Sequence, residues 1–129
     1  MLSTDEYDTA QALAEAWMPP GGTPPLSGRD ADLGAFFDDV LAGADPTTRK
    51  LMKALLQILD DATLPTHGSA FRTLGLEART DALHGWLISS NGALRSASQG
   101  VIALMSMGWT THPDVAAILQ PMFGCGYGR

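Results

Sequence analysis

Apolar positions recur at helical spacing along most of this chain, and no run alternates apolar with polar residues between turn signals. Ser3-Thr4-Asp5-Glu6 opens a first helix as a capping box, in which hydroxyl and carboxylate each satisfy a backbone donor of the other residue. Tyr7, Ala10, Ala14 and Trp17 come next at spacings of three and four, one face of that helix. Met18-Pro19-Pro20-Gly21-Gly22-Thr23-Pro24-Pro25 ends it, because proline cannot donate and pushes its predecessor out of helical angles. Residues 18–29 are thus predicted as a Pro/Gly loop laid across the surface.

A second helix carries Leu33, Phe36, Phe37, Val40 and Leu41 on one stripe, with Asp38 and Asp39 opposite, and stops at Gly43. Asp45-Pro46 is an N-cap followed by proline at the first helical position. The third helix runs through Leu51, Leu55, Ile58 and Leu59 to about Ala62, and its broad apolar face predicts a central position. Leu64 to Ser69 breaks the pattern, Phe71 and Leu74 lie in a bridging segment, and Gly75 closes it. A fourth helix takes Leu83, Trp86 and Leu87, with Glu77, Arg79 and Asp81 nearer its start. Asn91-Gly92 marks a boundary. The next helix is apolar on two sides, Leu94, Ala97, Val101, Leu104 and Gly108 on one and Ile102, Met105 and Trp109 on the other, so it should be buried or sandwiched. Thr111-His112-Pro113-Asp114 caps a last short helix through Val115, Ile118 and Leu119, and residues 121–129 read as a glycine-rich tail. The predicted fold is all-α: one domain over residues 1–129, a compact bundle of five or six helices with Pro/Gly-rich loops.

Composition narrows the function. The charged fraction is 17% in 129 residues, low enough to point to exposed apolar surface and a partner. A formal net charge of −6 with scattered basic residues argues against nucleic acid. No stretch approaches the roughly 18–20 apolar residues of a membrane helix, so membrane insertion is not expected. The N-terminus is acidic where a signal peptide is basic, and the expected location is the cytoplasm. Cys125 stands alone, which leaves no disulfide framework and no thiolate ligand set.

Catalytic chemistry finds little purchase. His67, His84 and His112 lack second ligands at helical metal spacing. Asp60 and Asp61 are neighbours on a helix and point about 100° apart, so they read as a solvated helix end. Ser89, Ser90, Ser96 and Ser98 have no elbow motif or base beside them. Arg95 comes directly after Leu94 at the start of a helix that reads as buried. It must reach water or meet a carboxylate, with Asp60, Asp61, Asp81 or another chain as the source.

The second half carries a resemblance. Leu83-x-x-Trp86-x-x-Ser89, then Leu94-Arg95, Leu104, Trp109 and His112-Pro113-x-Val115, resembles the gluconate 2-dehydrogenase subunit 3 family. A similar helical region precedes the flavin domain in long-chain alcohol oxidases. The resemblance implies a small helical subunit with no redox centre of its own. Its partner would be a large FAD-containing subunit of the glucose-methanol-choline class, acting on a sugar, alcohol or sterol hydroxyl. No catalytic, cofactor or metal residue is then expected on this chain. Many members carry a twin-arginine signal, and a Tyr-Tyr pair is common in relatives before the final helix; neither is seen in this sequence, which has Gly108-Trp109 at the pair. The candidate partner-facing residues are Trp86, Arg95, Trp109, His112, Pro113 and Tyr127. The alternatives are a ligand-binding protein or enzyme with a pocket lined by Trp86, Met105, Met107 and Trp109, and a regulatory adaptor.

Overall fold

A computed structural model describes residues 2–22 and 26–123, with the backbone alone for 119–123. The elements in chain order are α1 (Thr4–Trp17), α2 (Leu33–Ala42), α3 (Pro46–Asp61), the single turn α4 (Leu64–His67), a 3₁₀ turn (Phe71–Thr73), α5 (Leu76–Leu87), α6 (Gly92–Thr111) and α7 (Pro113–Phe123). The described residues contain no strand, and the architecture is an all-α bundle. Buried residues of α1, α2, α3, α5, α6 and the 3₁₀ turn form one contiguous core.

The capping box at Ser3 forms as predicted: Glu6 N–H donates to Ser3 Oγ at 3.1 Å, and Ser3 N–H to Glu6 Oε1 at 2.8 Å. The body of α1 departs from the predicted single face. Thr9 to Ala14 are buried without interruption, and Ala16 with them, so α1 is enclosed on every side. Six successive residues at 100° each cover the whole circumference. The enclosed helix is therefore α1, whereas α3, predicted to be central, lies at the periphery. Only Leu56, Leu59 and Asp60 of α3 are buried, while Leu51 is 60% and Ile58 49% exposed. Apolar periodicity misleads here because α1 is sheathed in alanines, whose small side chains carry a weak hydropathy signal but let neighbours approach closely.

The two buried polar side chains of α1 are satisfied. Thr9 Oγ1 donates to the Asp5 carbonyl at 2.9 Å. Gln11 accepts from Gly34 N–H at 2.9 Å, holding the start of α2, and its amide donates to Asp32 at 3.2 Å. Asp32 takes the left-handed conformation (φ 51°) and gives α2 no side-chain cap. Its carboxylate turns back to α1, where it accepts from Gln11 and from the Tyr7 hydroxyl.

The Pro/Gly loop is pinned at its two ends by Gly28 N–H donating to the Met18 carbonyl at 2.8 Å. Gly28 presses so close to α1 that a Cβ would stand 2.2 Å from the Ala14 carbonyl oxygen. Gly108 of α6 plays the same part against the Phe36 ring, 2.6 Å from where its Cβ would be. Asp45 caps α3 as predicted, accepting from Thr48 N–H at 2.8 Å, with Pro46 in the first turn. The segment after α3 holds one helical turn rather than only a break, with His67 as its last residue and Gly68 at φ 71° ending it. At the far end α7 continues to Phe123, past the predicted tail boundary at 121. The glycines that disfavour helix begin only at Gly124, and residues 124–129 lie outside the described residues.

Two glycine substitutions should move stability in opposite directions. Gly28→Ala drives a methyl into the α1 backbone and should cost about 1–3 kcal/mol by urea unfolding. Gly85→Ala, in the middle of α5 where a Cβ meets open space, should stabilise by about 0.5–1 kcal/mol.

Candidate functional site

The segment around the junction of α5 and α6 holds two of the partner-facing candidates, Trp86 and Arg95, and its residues divide sharply. Leu83 is fully buried and Trp86 is 8% exposed, its ring tilted 38° against Phe71 with centroids 5.1 Å apart. Trp86 is thus a core aromatic. Ile88, at the end of α5, is 85% exposed. The turn beneath it is braced from several sides. Asn91 N–H donates to Ser89 Oγ at 3.0 Å, and Asn91 Oδ1 caps α6 by accepting from Ala93 and Leu94 N–H at 3.0 and 3.3 Å. Gln99 reaches back to the Leu87 carbonyl at 3.3 Å.

Arg95 is part of this brace. It is exposed and donates from Nη1 to the Ser89 carbonyl at 2.6 Å. Among the described residues it meets no carboxylate. Of the two alternatives for Arg95, it reaches water, and the ion pair with Asp60, Asp61 or Asp81 does not form, because neighbours in sequence are not neighbours on a helix: Arg95 lies off the face that buries Ala97, Val101 and Met105. The buried guanidinium is Arg79. It shares the inner face of α5 with Leu83 and Trp86, at i, i+4 and i+7, and that spacing is the legible signal. Arg79 donates to the Ala12 carbonyl of α1 at 2.8 Å, the Leu74 carbonyl at 3.0 Å and Glu15 Oε1 at 2.9 Å. Glu15 is shared with Arg29 at 3.2 Å. Burial pushes the Glu15 carboxyl upward, but the hydrogen bonds and charges of Arg79 and Arg29 outweigh it and hold the group below its ordinary value.

Asp60 also departs from the predicted solvated end. It is 2% exposed, accepts from Arg72 N–H at 2.9 Å and forms an ion pair with the Arg72 guanidinium, which also lies 3.5 Å from Asp5. Asp61, one residue on, is exposed. The 100° step between them separates a core ion pair from a surface charge.

Trp109 is half-buried, and its indole N–H donates to the Leu26 carbonyl at 3.0 Å, tying α6 to the Pro/Gly loop. His112 ends α6, and its Nδ1 accepts from Asp114 N–H at 3.2 Å as α7 begins at the exposed Pro113. Tyr127 and Cys125 lie outside the described residues. Trp86, Met105, Met107 and Trp109 do not line a common pocket. Met105 is fully buried and Met107 is 61% exposed, because two residues along a helix turn the side chain through about 200°. A concave feature lies elsewhere on the surface: an open groove of about 410 Å³ between the end of α3 and the start of α6, lined by Ile58, Asp61, Ala62, Asn91, Ala93 and Leu94. Thr66 and His67 form a hydroxyl–imidazole contact of 2.9 Å, but both are exposed on the single turn α4. Among the described residues no three His, Cys, Asp or Glu side chains stand together as a metal site, and no helix is long and apolar enough to cross a membrane. What this surface offers is contact: apolar side chains on rigid supports.

Arg79→Ala leaves the Ala12 carbonyl without its donor and Glu15 with the half-exposed Arg29 alone, and thermal unfolding should show a loss of about 3 kcal/mol. Arg79→Lys should recover part of it, and Arg95→Ala should stay within about 0.5 kcal/mol of wild type. Equal losses at both arginines would contradict this assignment. Glu15 has its own pH signature. A folded-state value below the unfolded one stabilises the protein above the unfolded value, and the gain disappears as pH falls through the folded value. Stability should therefore decline from about pH 4.5 downward, and Glu15→Gln should flatten that acid limb in a urea-unfolding series.

Comparison with known proteins brings the fold and this surface together. No curated protein and no solved structure matches the chain. The family described as gluconate 2-dehydrogenase subunit 3 matches residues 4–109, from the first residue of α1 to the tryptophan that ties α6 to the loop. With that match spanning most of its length, the chain belongs to the gluconate 2-dehydrogenase subunit 3 family.

Proposed function

We propose that this chain is a non-catalytic accessory subunit that binds and stabilises a large FAD-dependent dehydrogenase subunit acting on a sugar, alcohol or sterol hydroxyl. The family match over residues 4–109 carries the reading, since the family is named for one subunit of a dehydrogenase and so implies a larger partner. The surface supports it. Leu64, Ile88, Met107 and Ile118 are all exposed in a chain of low charge, and a partner that covers them removes apolar area from water at about 25 cal/mol per Å². The rigid turn under Ile88 lowers the entropy lost on docking, because its backbone is already ordered. A pocket-based enzyme finds less support, since the four residues that would line its cavity do not converge.

Purified alone, the chain should show no visible absorption band. Co-expressed with a large FAD-dependent dehydrogenase subunit of the kind this reading requires, it should co-elute with that subunit and raise its apparent Tm, as any ligand of the folded state does. A flavin band on the isolated chain would refute the accessory role, and so would a flavoprotein equally stable and active without it.

A further inference from the structure

The peripheral helix α3 carries two apolar stripes where the fold uses one. Met52, Leu55, Leu56 and Leu59 face or border the core. A second stripe, Leu51, Ala54, Ile58 and Ala62, runs along the outer side at spacings of three, four and four, with Leu51, Ala54 and Ile58 exposed. Its end opens into the groove that Ala93 and Leu94 of α6 complete. Among the described residues Leu51, Ala54 and Ile58 lie open to solvent, while Ala62, the cap residue of α3, is half-buried at the edge of the core.

We infer that this face is a self-association surface, on which a second copy of the chain lays its own α3 antiparallel across a two-fold axis. The order of residue sizes selects that occupant. In an antiparallel pair centred between Ala54 and Ile58, Leu51 meets the small Ala62 of the other copy and Ile58 meets the small Ala54. Large side chains thus enter gaps left by small ones in all four layers, the packing that two helices with 3–4 spacing need. Charge selects the same arrangement. Lys50 and Asp61 flank the stripe on one side, about 16 Å apart along the helix. Among the described residues neither has an opposite charge within reach, and Asp61 accepts only from Gln57 at 3.0 Å. Antiparallel pairing brings each Lys50 to the other copy's Asp61, and a two-fold axis forms that contact twice. The position of Asp61 is otherwise unfavourable, because a carboxylate in the last turn of a helix opposes its dipole.

The test is sedimentation equilibrium of the full chain, with circular dichroism to confirm the fold of each variant. Wild type should form a dimer with a dissociation constant in the micromolar range. Leu51→Asp with Ile58→Asp should weaken it by about 100-fold or more, since these are the buried anchors of the seam. Asp61→Lys alone should weaken it about tenfold while favouring α3 itself, and adding Lys50→Asp should restore the dimer by reversing both charges. A wild-type chain that stays monomeric at about 1 mM, far above that constant, overturns the inference. So does a dimer indifferent to the double aspartate variant, or one that the charge reversal fails to rescue. If the variants disturb only the complex with the large dehydrogenase subunit, the stripe belongs to that partner and the inference again fails.

Discussion

Everything in this fold rests on one helix being thin enough to be surrounded. Between Thr9 and Ala16 every second residue of α1 is alanine, so α2, α3, α5 and the 3₁₀ turn can approach its axis from different sides. Glycine does the same from the other partner at the two tightest places, Gly28 against Ala14 and Gly108 against Phe36. Close approach of backbones places many atoms in van der Waals contact and leaves little room for a larger side chain on either surface. The large residues of the core, Phe37, Phe71, Leu83 and Trp86, then fill the space around this narrow centre.

Such enclosure creates a polar problem, and the solution defines the rest of the core. A helix surrounded on all sides takes its polar groups out of water with it, and each must find a partner inside the protein. Gln11 ties α1 to the start of α2, Thr9 returns to its own helix, and Arg79 reaches across from α5 to the Ala12 carbonyl and Glu15. The arginine does double duty. It bonds the side of a buried helix and brings a charge that needs a carboxylate, so α5 is held at one position along α1. Arg72 and Asp60 make a second such link between the 3₁₀ turn and α3, extended to the start of α1 by Asp5.

With α1 in the centre, the apolar residues of α3 have more than one outlet. Its inner stripe meets the core, while Leu51 and Ile58 remain outside. Ile88, Met107 and Ile118 lie at the end of α5, on α6 and on α7, so apolar surface is distributed around the molecule rather than gathered in one patch. The two proposed contacts, with a large partner and with a second copy, would use separate faces of that kind. Arg95, Asn91 and Gln99 hold the α5–α6 turn in place, so that its outer surface is ordered.

Local structure was legible in the residues alone: the capping box at Ser3, the proline and glycine boundaries, the all-α class and the cap at Asp45. These depend on residues a few positions apart, whose geometry the backbone dictates. The family was legible too, because the tryptophan helix and its flanks survive as a recognisable order of residues. Which helix lies in the centre depended instead on tertiary packing. Alanine is nearly silent in a hydropathy pattern, and its value appears only when another backbone comes close. The roles of the two arginines were settled the same way. Arg95 sits beside apolar residues in sequence and faces solvent, whereas Arg79 sits among charged ones and is buried. A helix places residues by angle, and the carboxylate that accepts from Arg79 lies 64 positions away in the chain. No local reading of the residues around Arg79 contains that partner, since burial and pairing are properties of the assembled neighbours.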